Sequence, residues 1–191
     1  MSRFYIPLDK TTGIKELPDF SPITSIDHKG LSSAFWNCSG LTGSVSFPNL
    51  TSIGTNGLND AFSYCTGLTG SVSFPKLISI GDYGLSDTFG GCTGLTGSVS
   101  FPKLISIGDY GASGVFKHCT GLTGSISFPS LTSIGNHGLQ NAFYNCTGIT
   151  EVHFKRSLSG NSECTASNMG CTNATVYFDL RKIIGENNRE N

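Results

Sequence analysis

Five stretches of the chain are near copies of one another at a spacing of 27 residues: GLSSAFWNCSGLTGSVSFPNLTSIG from Gly30, GLNDAFSYCTGLTGSVSFPKLISIG from Gly57, GLSDTFGGCTGLTGSVSFPKLISIG from Gly84, GASGVFKHCTGLTGSISFPSLTSIG from Gly111 and GLQNAFYNCTGITEVHF from Gly138. A unit this short cannot bury its own apolar side chains, so copies at a fixed period must stack and share one core. The 191 residues therefore read as one continuous body. Residues 65–84 and 92–111 are identical over 20 positions, which points to recent duplication or recombination of whole units.

Aligned on the glycines, the invariant positions mark the interior. Leu58, Ala61, Phe62 and Cys65 stand at i, i+3, i+4 and i+7, a spacing that predicts one face of a short helical segment; Leu85, Phe89 and Cys92 repeat it. Ser71, Val72, Ser73 and Phe74 alternate polar and apolar, the period of a half-buried strand, and Pro75 ends it. Leu77 and Ile80 supply a second inward pair on an extended arm. Gly81 and Gly84 bracket the corner that returns the chain to the helical segment, where glycine supplies unusual backbone angles. One lap thus has three sides, and the expected fold is an α/β solenoid of five to six laps with one parallel sheet, extended arms and short helical segments.

The ends follow the register imperfectly. Phe20, Ile23 and Ile26 match Phe47, Leu50 and Ile53, so a partial lap starts near Leu17, and Cys171, Val176 and Phe178 mark a last one. The expected organisation is an N-terminal cap over residues 1–16 with a short strand at Phe4 to Ile6, a solenoid over 17–178, and a frayed tail over 179–191. Charge divides the same way. Between Leu31 and Thr150 only Asp60, Lys76, Asp82, Asp87, Lys103, Asp109 and Lys117 are charged, and the other 18 charges lie towards the ends, as expected where terminal units need a polar outer face. The body lacks the basic stripe that nucleic acid or an acidic membrane surface demands. No apolar run approaches the roughly 20 residues of a membrane span, and MSRFYIPLDK lacks the apolar core of a signal peptide.

The residues AFxxCTGLTxxVxFPxLTSIG, over about 20–178, resemble the BspA-like class of bacterial leucine-rich repeats. The laps differ from that pattern by an additional residue between Thr69 and Val72 and by a longer corner from Gly81 to Gly84. The resemblance implies a leucine-rich-repeat coil, no catalytic residues, and a cell-surface or secreted adhesion protein that binds matrix proteins or other cells. With no signal peptide in the chain, a phage particle or the cytoplasm are the other locations.

Cys38, Cys65, Cys92, Cys119, Cys146 and Cys171 occupy one position per lap and are expected to form a buried structural ladder, each thiol a small hydrophobe with a weak hydrogen bond to spare. Cys164 lies seven residues before Cys171 in a polar loop, which leaves a bridge between those two open. A zinc site needs two converging pairs and not a column, so no metal or other cofactor is expected. His28, His118, His137 and His153 fall at different places in the lap, and no nucleophile, base and orienting acid recur together; the chain reads as non-enzymatic. Asp82 with Asp109, and Asp60 with Asp87, are expected to sit as solvated like-charge stacks relieved by Lys76 and Lys103, with a cation between paired carboxylates as the rival reading. The Asn-x-Ser/Thr triplets at Asn37, Asn49, Asn145 and Asn173 follow from the repeat's own composition.

Positions that vary between copies form two columns. Before each Cys stand Trp36-Asn37, Ser63-Tyr64, Gly90-Gly91, Lys117-His118 and Tyr144-Asn145; at the corner stand Thr55-Asn56, Asp82-Tyr83, Asp109-Tyr110 and Asn136-His137. Exposed aromatic and amphipathic side chains on a fixed frame suit recognition, so Trp36, Tyr64, Tyr83, Tyr110, Lys117, His118, His137 and Tyr144 are the candidate ligand-binding residues. A flat floor of Ser44, Ser46, Ser71, Ser73, Ser98, Ser100, Ser125 and Ser127 is a second candidate surface. The expected function is a monomeric, non-enzymatic bacterial or phage-encoded module that binds a protein or glycan. The rival is a structural or assembly subunit, of a phage tail or surface layer, that acts by packing.

Overall fold

A computed structural model describes residues 14–179. The expected strand at Phe4 to Ile6 and all but the first residue of the expected tail lie outside that range. In chain order the strands are β1 (Ser25–Ile26), β2 (Val45–Ser46), β3 (Ser52–Ile53), β4 (Val72–Ser73), β5 (Ser79–Ile80), β6 (Gly97–Ser100), β7 (Ser106–Ile107), β8 (Leu122–Phe128), β9 (Ser133–Ile134), β10 (Gly148–Lys155) and β11 (Thr175–Asp179). All pairings are parallel and join residues about one lap apart, Val45 to Val72 and Val99 to Ile126 for example. The chain is a solenoid.

Two features depart from the sequence expectation. The arms are not single extended segments beside one sheet: β1, β3, β5, β7 and β9 form a five-stranded parallel sheet of their own, facing the row of β2 and β4 followed by β6, β8, β10 and β11. The reason is backbone satisfaction. Extended arms repeating at 27 residues bring Ser52, Ser79, Ser106 and Ser133 into register, and their polar groups pair with the next lap instead of with water.

The third side is not helical. Gly54 to Gly57, Leu58 to Ala61 and Phe62 to Cys65 are consecutive four-residue turns, each closed by a bond from its fourth N–H to its first carbonyl at 3.0, 3.0 and 3.1 Å. The third residue of each, Asn56, Asp60 and Tyr64, has φ of 56°, 54° and 60°, the position at which type II turns need a left-handed residue. Between these turns the remaining N–H groups reach across: Leu58 to Gly84, Asp60 to Ser86, Phe62 to Thr88 and Tyr64 to Gly90, at 2.7–3.0 Å. A helix spends its N–H groups on i−4 carbonyls and leaves none for a stacked neighbour; the turn ribbon bonds within the lap and between laps alternately. First and fourth residues of successive turns point inward, which reproduces the i, i+3, i+4, i+7 spacing.

Two columns of phenylalanine run through the core of leucine, isoleucine, valine, alanine and cysteine between the three sides. Phe35, Phe62, Phe89, Phe116 and Phe143 stack at centroid spacings of 4.9–6.0 Å. Phe20, Phe47, Phe74, Phe101, Phe128, Phe154 and Phe178 form the second column at 4.3–6.0 Å. The stretch after Thr69 has its counterpart after Thr96, where Gly97 has φ of 80° and the pairing with the next lap slips in register before Val99.

In the terminal lap the ribbon gives way to 3-10 turns at Arg156–Leu158 and Ser162–Cys164 and to α1 (Ala166–Met169), with Thr165 as N-cap and Gly170 as left-handed C-cap. No further lap follows α1 among the described residues, so it has no ladder to supply.

Candidate functional site

The turn ribbon carries three columns of left-handed residues on its outer side. The corner column is Lys29, Asn56, Tyr83, Tyr110 and His137; the middle one is Ser33, Asp60, Asp87, Gly114 and Asn141; the pre-Cys one is Asn37, Tyr64, Gly91, His118 and Asn145. Asparagine, aspartate and glycine adopt this conformation readily, whereas a tyrosine there is held against roughly 1–2 kcal/mol of steric preference.

At the corner the structure brings together Tyr83, Tyr110 and His137. The tyrosine rings lie 5.0 Å apart and nearly parallel, and the His137 ring continues the stack at 4.8 Å. Tyr83 is 41% exposed. Beneath them, Asp82 Oδ1 accepts the Asp109 N–H at 2.9 Å and Asp109 Oδ1 accepts the Asn136 N–H at 2.7 Å. These carboxylates, exposed and stacked in adjacent laps, therefore also cap backbone N–H groups of the next lap.

The pre-Cys column is less continuous. The Tyr64 ring lies over Gly91, where a Cβ would come within 2.7 Å of Tyr64 Cδ1. His118 meets Tyr144 edge to face at 5.4 Å and its Nδ1 pairs with Asn145 Nδ2 at 3.2 Å. Trp36, Tyr64 and Tyr144 are each about half exposed, at 51%, 49% and 50%. Lys117 turns away from them to Asp87, Nζ to Oδ1 at 2.6 Å. Lys117, not Lys76 or Lys103, thus relieves the Asp60 and Asp87 pair; Lys76 bonds Asn49 Oδ1 at 2.8 Å. Hydrogen bonding to Asp87 raises the Lys117 pKa, while burial and the Asp87 charge raise that of Asp60.

The six thiols of the column face inward, all buried. Cys65, Cys92, Cys119 and Cys146 each donate to the carbonyl of a phenylalanine 30 residues earlier, at 2.9–3.1 Å. Cys164 and Cys171 are both free and buried, so the open bridge between them is not formed.

The serine floor ends in a histidine, a tyrosine and a glutamate in contact. Register places His153 beside Ser127 and Tyr177 beside His153; the His153 and Tyr177 rings stack at 5.0 Å, and His153 Nε2 meets Glu151 Oε2 at 3.0 Å. Ile78 and Ile105, 43% and 47% exposed, were missed from the sequence alone. Their signal was an isoleucine where neighbouring laps have Thr51 and Thr132. Among the described residues no group of three His, Cys, Asp or Glu side chains converges as a metal ion needs, and no helix is long and apolar enough to cross a membrane.

A family profile described as "BspA type Leucine rich repeat region" matches in six copies, over residues 24–137 and 58–187. No curated protein matches the chain. Among solved structures, a leucine-rich repeat protein of T. pallidum aligns with TM-score 0.56 and 24% identity over 86% of this chain and 68% of its own. A leucine-rich cell surface protein of Faecalibacterium prausnitzii A2-165 aligns at 0.36 and 20%, over 68% of this chain and 38% of its own. A leucine-rich repeat protein of Bacteroides ovatus aligns at 0.39 and 22%, over 80% and 48%. The first of these likenesses supports the solenoid fold.

Proposed function

Because the chain belongs to the BspA-type leucine-rich repeat family, whose members are commonly surface proteins, we propose that it is a recognition module that adheres to a protein or glycan through its aromatic columns. The observation that carries this reading is the corner stack. Tyr83 and Tyr110 keep large rings at positions where φ is 55° and 53°, although asparagine in the same column, Asn56, meets the backbone requirement with less strain. Neither tyrosine belongs to the buried core. Strain retained at an exposed aromatic is characteristic of a binding surface.

Contact through rings and hydrogen bonds on a body nearly free of charge gives little electrostatic steering, so binding tolerates salt. The test is a panel of immobilised extracellular matrix proteins and glycans, probed with the wild-type chain and with the Tyr83→Asn/Tyr110→Asn/His137→Asn triple variant. Asparagine suits the left-handed backbone, so the variant keeps its fold. Capture by one member of the panel, lost in the triple variant and retained at 0.5 M NaCl, is the expected result; capture that the triple variant retains refutes the assignment. Sedimentation that shifts with concentration instead identifies an assembly subunit.

A further inference from the structure

The inter-lap ladder of the turn ribbon ends one bond short, and a cleft opens where it ends. Through the inner laps the ladder runs to the pre-Cys column, with Tyr64 N–H bonded to Gly90, Gly91 to Lys117 and His118 to Tyr144. In the last complete lap its acceptors come from the terminal segment. Glu163 Oε1 and Oε2 accept the N–H groups of His137 and Leu139 at 3.1 and 3.3 Å, and the carbonyls of Asn168 and Met169 accept those of Asn141 and Phe143 at 2.8 and 2.9 Å. Asn145 is next in this series. Its N–H has no backbone acceptor among the described residues, because α1 has already closed on Gly170 and the chain turns away.

The space beyond Asn145 is a cleft of about 310 Å³ between Asn141–Thr147 and Ser167–Asn173. That volume is at the small end for ligand sites, suited to a sugar ring and too small for a folded peptide element. Its lining contains no Asp, Glu, Lys or Arg. It offers the half-exposed ring of Tyr144, the amides of Asn145 and Asn173, and the hydroxyls of Thr147, Ser167 and Thr172. Gly170 keeps the terminal segment close, since a Cβ there would lie 2.9 Å from Tyr144 Cα. The Asn145 amide is oriented by His118 Nδ1.

We propose that this cleft binds a neutral saccharide, with a pyranose face on the Tyr144 ring and hydroxyls shared among the Asn145 N–H and the surrounding amides and alcohols. An aromatic face beside uncharged donors and acceptors complements a molecule that is apolar on its ring faces and hydroxylated at its rim. An anionic ligand would find no cation to pair with, and an extended peptide would find no free sheet edge in this lining. The inference deepens the recognition reading and rests on it, since Tyr144 and Asn145 end the pre-Cys columns.

The test uses the full chain, ¹⁵N-labelled, titrated with neutral oligosaccharides of glucose, mannose, galactose and N-acetylglucosamine, and with a sialylated trisaccharide for comparison. At least one neutral sugar is expected to shift the Asn145 amide resonance, and Tyr144→Ala is expected to weaken it about tenfold or more. Tyr144→Phe should keep most of the affinity. Asn145→Gly, which preserves the left-handed backbone, should lose part of it without unfolding. Silence of every neutral sugar, preference for the sialylated one, or binding indifferent to Tyr144→Ala overturns the cleft assignment. Sugar binding lost only in the corner triple variant also overturns it while leaving the recognition reading in place; a protein captured through the corner while all sugars stay silent has the same meaning.

Discussion

The thiol of Cys65 donates to the carbonyl oxygen of Phe35, thirty residues earlier, at 3.0 Å. That carbonyl already accepts the Cys38 N–H at 3.1 Å, so each rung couples the turn of one lap to the turn of the lap before. Cysteine fits because it fills an apolar slot and still has one weak proton to give. Truncating Cys92, which makes the same bond to Phe62 at 3.1 Å, leaves a cavity but no orphaned acceptor. Cys92→Ala is therefore expected to lower unfolding free energy by about 1–2 kcal/mol, read from urea denaturation. In the native protein none of the seven cysteines should react with a thiol reagent in minutes, and all seven should react in guanidinium.

Alkali should unfold the chain sooner than its other groups require. Burial pushes the thiols of Cys65, Cys92, Cys146 and Cys164 up from 9.0 to about 12, and that of Cys119 further still. The folded state keeps protons that the unfolded chain releases above pH 9, so this stability is whole below pH 9 and drains away as pH rises towards 12. The raised Lys117 pKa adds a loss at the upper end of the same window. Urea midpoints at pH 8 and pH 10.5 measure the fall, and Cys119→Ala should make it shallower.

Gly114 clears room for the Lys117 and Asp87 ion pair. Its φ is 59°, and a Cβ there would lie 2.5 Å from Asp87 Oδ1 and 3.3 Å from Lys117 Cδ. Gly124 has φ of 79° and open space around it. Gly124→Ala should therefore show the backbone effect alone, about 1 kcal/mol, and Gly114→Ala a larger loss of about 2–3 kcal/mol. Equal losses would mean that the ion pair simply moves aside.

How much of this was readable beforehand depends on the residue. The inward set, Leu58, Ala61, Phe62 and Cys65 with Val72, Phe74, Leu77 and Ile80, is legible because burial follows period and period repeats between copies. The conformation of the third side was not, since a 3.6-residue helix and a train of four-residue turns put the same side chains inward over two turns. A clue existed: asparagine, aspartate or glycine stands four residues apart at Asn56 and Asp60, at Asp87 and Gly91 and at Asn141 and Asn145, and recurs in the same columns at Asn37 and Gly114, the residue types that accept positive φ. The corner and pre-Cys variable positions were visible as columns, but variation alone did not say that the second residue of each pair is left-handed. The roles of Asp82, Asp109 and Glu163 were hidden, because a carboxylate that caps the next lap has no signature within its own lap.

Glu163 closes the solenoid by standing in for two backbone carbonyls, at His137 and Leu139, while its Oε2 also accepts from Asn168 Nδ2 at 3.0 Å. Glu163→Ala leaves the part-buried Leu139 N–H without its acceptor and the exposed His137 N–H to water, and should lower stability by about 1–2 kcal/mol. Glu163→Gln keeps one acceptor oxygen and should lose about half as much. Hydrogen exchange at His137 and Leu139 should accelerate in both variants before exchange at Leu58 or Phe62 does.

A captured ligand is expected to sit on the aromatic columns of the turn ribbon. Hydrogen–deuterium exchange with and without the partner recovered from the panel tests it directly. Protection concentrated at residues 82–84, 109–111 and 136–138, with or without the adjoining pre-Cys pairs, is the predicted result; protection confined to the serine floor from Ser44 to Ser127 would contradict it.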